Sequence, residues 1–299
     1  VSVPDARGLR ARAQVLRAVR SWFDTHGYLE VPTPALVPSP ALEPTLFGLP
    51  AGRGFLRTSP EFALKRALAA GLPRIYEIGP CFRAREHGPW HGEEFTMLEW
   101  YRVGASLDDL MHEVRSLFAA AAAAVDRPEP GPWRRLSVAA AFEAATGVDL
   151  TRATAEQLSP VDAPDWDTAF FRRWVHDVEP TLTGALFLTD WPASQAALAR
   201  VRRHRPWPVA SRFEVFLNGV ELGNAFHELT DPAEQARRFH SSAKERAAQG
   251  EPAHPVDAAF LTAVGRMPPS SGIAVGFDRL VACLLGWNGI SRGRVESDW

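Results

Sequence analysis

Residues 81–102 read CFRAREHGPWHGEEFTMLEWYR: two strand-like runs flank a charged, turn-prone middle that gathers Arg83, Arg85, Glu86, His87 and His91. Standing alone, such a loop is also an ordinary solvated hairpin tip. The chain's basic residues are nearly all arginine, with Lys65 and Lys244 the only lysines. Arginine is the better bidentate partner for phosphate.

A second constellation lies in FEVFLNGVEL. Asn218-Gly219 is a strong two-residue turn signal, which sets Leu217 opposite Val220 and Phe216 opposite Glu221. Glu214 then shares a face with Glu221 at a diagonal spacing of roughly 7–8 Å. Two carboxylates so placed can straddle a divalent cation whose other ligands are phosphate oxygens and water, the mode magnesium prefers. The same pattern also fits the solvated face of an edge hairpin. In GIAVGFDRL, Gly272 and Gly276 permit close approach of a ligand or backbone. Arg279, at the entry of a buried helix, can reach a phosphate or pair with Asp278. Ser59-Pro60-Glu61 reads as a helix cap with a first-turn acid, and His227-Glu228 is unremarkable by itself. No GxGxxG, GxxxxGK[ST] or GxSxG pattern occurs, so neither a Rossmann site, a P-loop nor a nucleophile elbow is expected.

The elements that must position these residues follow from periodicity. Leu9, Ala13, Leu16, Val19 and Phe23 recur at helical spacing, with Gly27 as a stop. GYLEV reads as a short strand broken by Pro32 and Pro34, and the Pro- and Gly-rich stretch 35–54 as irregular. A helix capped by Ser59 runs to Gly71, and RIYEIGPCFR and EEFTMLEWYR are strands. SLDDLMHEVRSLFAAAAAAV is a helix with Ser106 as N-cap, and residues 126–133 form a stiff connector. Weak helical patterns over about 134–180 suggest an insertion. Then come the strand GALFLTDW, the Asn-Gly hairpin, two helices over about 231–267, and a strand running into a buried helix. Hairpin-joined strands with helices between groups favour an α+β fold, an antiparallel β-sheet flanked by helices.

The chain of 299 residues is 46% hydrophobic and 23% charged with net charge −2, an ordinary soluble composition that gives no global electrostatic case for nucleic acid or an anionic membrane. No apolar run approaches the roughly 18–20 residues of a membrane span, and the start lacks a secretory pattern. The cytoplasm is the expected compartment, and no membrane partner is expected. Cys81 and Cys283 read as buried thiols, with a disulfide left open.

Together these segments resemble the catalytic domain of class II aminoacyl-tRNA synthetases, in the lysyl branch. The long helix followed by GYLEVPTP is similar to motif 1, CFRAREHGPWHGEEFTMLEWYR to motif 2 and GIAVGFDRL to motif 3, while TSPE and RFEVFLNGVELGNAFHELTD match lysyl-type elements between them. The likeness is strongest to the lysyl paralogues that ligate lysine to elongation factor P. Motif 1 begins within about thirty residues of the start, where an OB-fold anticodon domain would need on the order of 100 residues; one catalytic domain over 1–299 is therefore expected, without an anticodon-binding domain. EFTMLEWYR, NAFHELTD and Ala274, at a place where lysyl enzymes carry glycine, point the same way.

The resemblance implies ATP and Mg2+. Arg83 would touch the α-phosphate and Phe95 would stack on adenine, with Arg85, Glu86, His91 and Leu222 in the nucleotide site. Arg279 would lie on the far side of adenine toward the γ-phosphate, with Gly276 allowing close approach, and Glu214 and Glu221 would carry magnesium. Ser59, Glu61, Tyr101, Glu228 and Ala274 would form the pocket for lysine or (R)-β-lysine. The implied acceptor is elongation factor P rather than tRNA, and the implied assembly a homodimer. A minimal lysyl activator of tRNA type and a non-catalytic regulatory protein remain alternatives. Motif 2 departs from its usual Phe-Arg-x-Glu, with Arg85 at the glutamate position and Glu86 one later; Gly92 replaces an asparagine and Pro89 a basic residue. The tail GWNGISRGRVESDW has no assignment.

Overall fold

The computed structural model describes residues 5–43, 45–158, 163, 165–203 and 206–295. Helix α1 (Ala6–Thr25) is capped by Asp5, whose carboxylate accepts from the N–H groups of Arg7 and Gly8. Short strands β1 (Leu29–Glu30), β2 (Leu36–Val37), β3 (Pro50–Ala51) and β4 (Gly54–Leu56) precede α2 (Glu61–Ala69), the hairpin of β5 (Arg74–Phe82) with β6 (Glu94–Val103), and α3 (Leu107–Ala123). Next come β7 (Trp133–Ser137), α4 (Val138–Thr146), α5 (Ala155–Leu158), α6 (Trp166–Arg173), β8 (Ala185–Pro192) and β9 (Val201–Arg202). The hairpin β10 (Val209–Leu217)/β11 (Val220–His227), helices α7 (Pro232–Ala248) and α8 (Ala258–Val264), strand β12 (Ser270–Gly276) and helix α9 (Phe277–Leu285) complete the order.

Among the described residues, the main sheet runs β1-β5-β6-β12-β11-β10-β8-β7, with β9 beside β10. Its ladders are antiparallel except at the two ends, where β1 pairs with β5 and β7 with β8 in parallel. The GYLEV strand shrinks to two residues. Val31 still donates to the Tyr76 carbonyl, but Pro32 and Pro34 have no N–H to continue a ladder. The stretch 35–54, expected to be irregular, instead holds pieces of a three-stranded sheet in the order β2-β4-β3. Gly52, at φ +56°, turns the chain so that Pro50 and Ala51 face Phe55 and Gly54.

Helix boundaries follow local chemistry. Ser59 Oγ accepts from the Glu61 N–H at 3.1 Å. Ser106 and Asp109 form a reciprocal capping box at the start of α3. The helices after β7 bury Phe142, Phe170 and Trp174 against Leu186, Leu188 and Phe216 of the main sheet. Cys81 and Cys283 are both free thiols.

Pleat alternation sorts the sheet into two faces. Leu98, Trp100, Phe213, Val215, Ile273 and Val275 join Val15, Val19 and Phe23 of α1, Val114 and Phe118 of α3, and Leu280 of α9 in the largest apolar core. Their neighbours Glu99, Tyr101, Arg212, Glu214, Gly272 and Ala274 therefore point to the opposite face. There α2, α7 and α8 pack through Phe62, Phe239 and Phe260.

Asp278 joins three elements. Its carboxylate accepts from Arg12 of α1 at 3.1 Å and from the Thr96 N–H of β6 at 2.7 Å, while sitting on α9. Asp278→Ala should destabilise the fold by about 1–3 kcal/mol, since it strands a backbone donor and takes away the ion-pair partner of Arg12, which keeps its bond to Thr96 Oγ1; urea unfolding with unchanged m-value is the measurement.

Candidate functional site

The polar face of the sheet carries a cavity whose floor is β6, β11 and β12. Along β6 its lining passes from Phe95 through Met97 to Glu99, about 13 Å at roughly 3.2–3.4 Å per residue. Arg83 and Arg279 stand at the Phe95 end, interleaved with Glu86 and Glu221, whereas the lining at the Glu99 end carries acids and no arginine.

At the first end, Arg83 and Arg279 both line the cavity. The Arg83 guanidinium lies 5.1 Å from the Phe95 ring centre, and its Nε donates to the Thr58 carbonyl at 3.4 Å. Arg279 is held by two carbonyls, Nε donating to Trp90 and Nη1 to Glu221, each at 3.0 Å. It thereby joins the loop of the β5–β6 hairpin to β11. Gly276 and Leu222 also line this cavity. His91 stands 3.7 Å from the Glu86 carboxylate; burial and the nearby Arg279 hold its imidazole below the usual range.

The loop explains the motif 2 departure and corrects one placement. Arg85 does not line the cavity. Its backbone is left-handed at φ +67°, and its side chain, 62% exposed, turns out to Glu251 at 2.7 Å and lies 4.0 Å over Phe47. The following residue, Glu86, enters the cavity wall instead. The glutamate one place late in sequence is brought to the site by that turn. The unassigned tail closes over the same loop: the Ile290 N–H donates to the Pro89 carbonyl at 2.9 Å, and Ile290 lines the cavity. Gly289 is required there, because a Cβ would stand 2.5 Å from that carbonyl oxygen. Residues 296–299 of the tail lie outside the described residues.

At the acidic end, Ser59, Glu61 and Ala274 line the cavity, and Ala274 is paired across the ladder with Glu99. Tyr101 and Glu228 lie behind the lining rather than in it. Tyr101 donates its hydroxyl to Glu99 at 2.6 Å, and its ring fills the space above Gly272, where a Cβ would be 2.2 Å from the ring. Glu228 is 1% exposed and pairs with Lys65 Nζ at 2.6 Å; the same ammonium holds Glu61 at 2.6 Å.

Three functional candidates here escaped sequence reading. Lys65 is buried among acids at the i+4 position from Glu61, a signal that was available. Glu99 shares a strand face with Tyr101, also legible from period 2, and its Oε2 is buried without a hydrogen-bond partner. Asn224 lines the cavity with a buried unpartnered Oδ1. Burial, with Glu61 nearby, raises Glu99 well above the usual carboxylate range. Burial outweighs Lys65 to push Glu228 up to about 7. For Lys65, burial works against the charge, yet Glu228 and Glu61 raise it overall.

The expected metal pair is split by its surroundings. The ladder does set Phe216 opposite Glu221, but a bulge at Leu222 puts Glu214 opposite Asn224. Glu221 lines the cavity, whereas Glu214 does not; it is buried and paired with Arg212 two residues back on the same face. Burial and Glu221 raise Glu214 well above its usual range, so the two carboxylates do sense each other. Among the described residues no cluster of three or more His, Cys, Asp or Glu could hold a metal by itself. The residues therefore fit a divalent ion only when phosphate oxygens complete its shell.

Comparison with known proteins gives a consistent picture. The family model described as tRNA synthetases class II (D, K and N) matches residues 5–293. Proteins named elongation factor P--(R)-beta-lysine ligase align along nearly the whole chain. That of Edwardsiella ictaluri is 39% identical, covering 95% of this chain and 92% of its own length. That of Photorhabdus laumondii is 38% identical, covering 93% and 91%, and that of Vibrio cholerae 36%, covering 95% and 93%.

The Glu228 shift carries a stability consequence. A carboxylate raised in the folded state binds protons more tightly there than in the unfolded chain. Its contribution is fully present below the ordinary carboxylate range and is lost as pH rises through about 7. Glu228→Gln should therefore show a shallower fall in unfolding free energy between pH 5 and 8 than the unaltered protein, measured by urea titration without ligand.

Proposed function

This chain belongs to the class II tRNA synthetase family, and from that premise we propose that it activates a lysine-type amino acid, (R)-β-lysine by preference, as its adenylate and transfers it to a lysine of elongation factor P. The observation that carries the reading is the cavity's polarity. One end presents Arg83 and Arg279, suited to a triphosphate. The other presents Glu61 and Glu99, backed by Glu228, with Lys65 the cation between them. Buried carboxylates in surplus favour a ligand that brings ammonium groups. The alignment with elongation factor P ligases over nearly the full chain supports the acceptor.

The substrate carboxylate is ionised at neutral pH, its pKa roughly three units below 7, so it needs no protein base to attack the α-phosphorus of ATP. The new O–P bond forms in line as the bond to pyrophosphate breaks. Arg83 orients the reacting groups and offsets charge on the α-phosphate, while Arg279 does so toward the γ-phosphate. Phe95 forms an apolar face for adenine, and Glu86 and His91 complete the loop wall. Magnesium, held by Glu221 with Glu214 behind it, would neutralise phosphate charge. In the second step the acceptor's neutral lysine amine attacks the adenylate carbonyl, releasing AMP and a proton and leaving an amide.

We place the reaction in the cytoplasm; no helix among the described residues is long and apolar enough to cross a membrane. A homodimer through the motif 1 segment is supported by Leu29 within it and Leu36 just after it, which are 52% and 50% exposed.

Amino-acid-dependent ATP–pyrophosphate exchange is expected with lysine and (R)-β-lysine, followed by labelling of elongation factor P and not of tRNA. Exchange absent across an amino-acid panel would refute the proposal. Arg279→Ala should lower exchange by about 100-fold or more with an unchanged circular dichroism spectrum. Glu221→Gln should raise the magnesium concentration needed for half-maximal exchange; an unchanged requirement would remove that residue from the metal site.

A further inference from the structure

We infer that Glu43 is a specificity-determining residue of the amino-acid site, its carboxylate receiving the amino group that lies nearer the substrate's own carboxylate. The inference deepens the proposed function and rests on a diamino-acid substrate.

Glu43 lines the cavity together with Ser59, Glu61 and Arg83. Its segment is fastened to that wall from both sides. The Ala41 N–H donates to Thr58 Oγ1 at 3.0 Å, and the Ala84 N–H donates to the Phe47 carbonyl at 2.8 Å. Arg246 holds the Leu46 carbonyl at 3.0 Å. Thr58 in turn accepts from Arg83 through its carbonyl, so Glu43 is carried on the same stretch of wall as the guanidinium assigned to the α-phosphate, the group that the substrate carboxylate attacks. Glu99, by contrast, stands some four residues along β6 from Phe95, about 13 Å deeper.

Glu43 also differs from the other acids in having nothing to hold it. Glu61 and Glu228 share Lys65, and Glu99 accepts from Tyr101. No hydrogen bond or ion pair engages the Glu43 carboxylate among the described residues. Burial and the neighbouring Glu61 raise its proton affinity, against Arg83, and an arriving ammonium would relieve that repulsion. A substrate with two ammonium groups then finds a carboxylate for each. The far one goes to the Glu99 end, and the one close to its carboxylate goes to Glu43. Nothing in the Pro- and Gly-rich stretch 35–54 marks this residue in sequence.

The test is Glu43→Gln in the full chain, read by pyrophosphate exchange with lysine and (R)-β-lysine. A second readout is competitive inhibition by 6-aminohexanoate, which keeps the carboxylate and the far ammonium but lacks the near amine. The expected result is a rise of about tenfold or more in KM for at least one diamino acid, the loss of one charge-assisted hydrogen bond. Inhibition by 6-aminohexanoate should stay within about twofold, and Glu43→Asp should recover part of the loss. Unchanged KM for both diamino acids, or an equal weakening of 6-aminohexanoate, would overturn the inference, the latter by marking Glu43 as structural. Exchange missing from the unaltered protein would instead overturn the proposed function, and the inference with it.

Discussion

A single ammonium group, that of Lys65, makes the acidic end of this site physically tolerable. It sits in a fully enclosed position 2.6 Å from both Glu61 and Glu228, with Glu99 close enough to respond to all three. Removing one partner from such a buried cluster costs about 3–5 kcal/mol, because the remaining charge is left without water or counter-ion. One cation nevertheless cannot neutralise three carboxylates. The cluster resolves the surplus by holding protons more tightly, which is why burial drives Glu99 and Glu228 upward. A ligand carrying ammonium groups is the other resolution, and the two compete.

The scaffold keeps that cluster in register with the arginine end through sheet geometry. Period-2 alternation on β6, β10 and β12 sends Leu98, Trp100, Val215 and Ile273 into the helices on one side. The same alternation holds Glu99, Glu214 and Ala274 on the other. Apolar packing and site geometry are thus two faces of one ladder, and a slip by one residue would exchange them. The bulge at Leu222 is a local exception that keeps both Glu221 and Asn224 on the cavity side, as an inserted residue re-aims a strand.

The hairpin loop over the arginine end is built from long-range ties rather than from its own periodicity. Arg279 of α9 holds Trp90, Ile290 of the tail holds Pro89, and Glu251 draws Arg85 outward. Each tie spans more than 150 positions of sequence, so none is visible in the loop itself. The left-handed turn at Arg85 converts an apparent defect in the motif into a shift of one residue, with Glu86 taking the inward position.

Much of the fold was legible because it rests on local rules. Helical spacing in α1 and α3, the Ser106 cap and the Asn218-Gly219 turn each act over a few residues, and the last of these correctly set Phe216 against Glu221. Most of the named site residues also converge on one cavity. Sequence alone could not say that Glu214 would be spent on Arg212, that Arg85 would face Glu251, or that Glu43 and Ile290 would line the site. Those outcomes depend on which distant groups arrive within hydrogen-bonding distance. Local propensity settles where an element starts and which face it buries; only the packed chain settles which charges meet, because burial and pairing are properties of the neighbours a residue acquires.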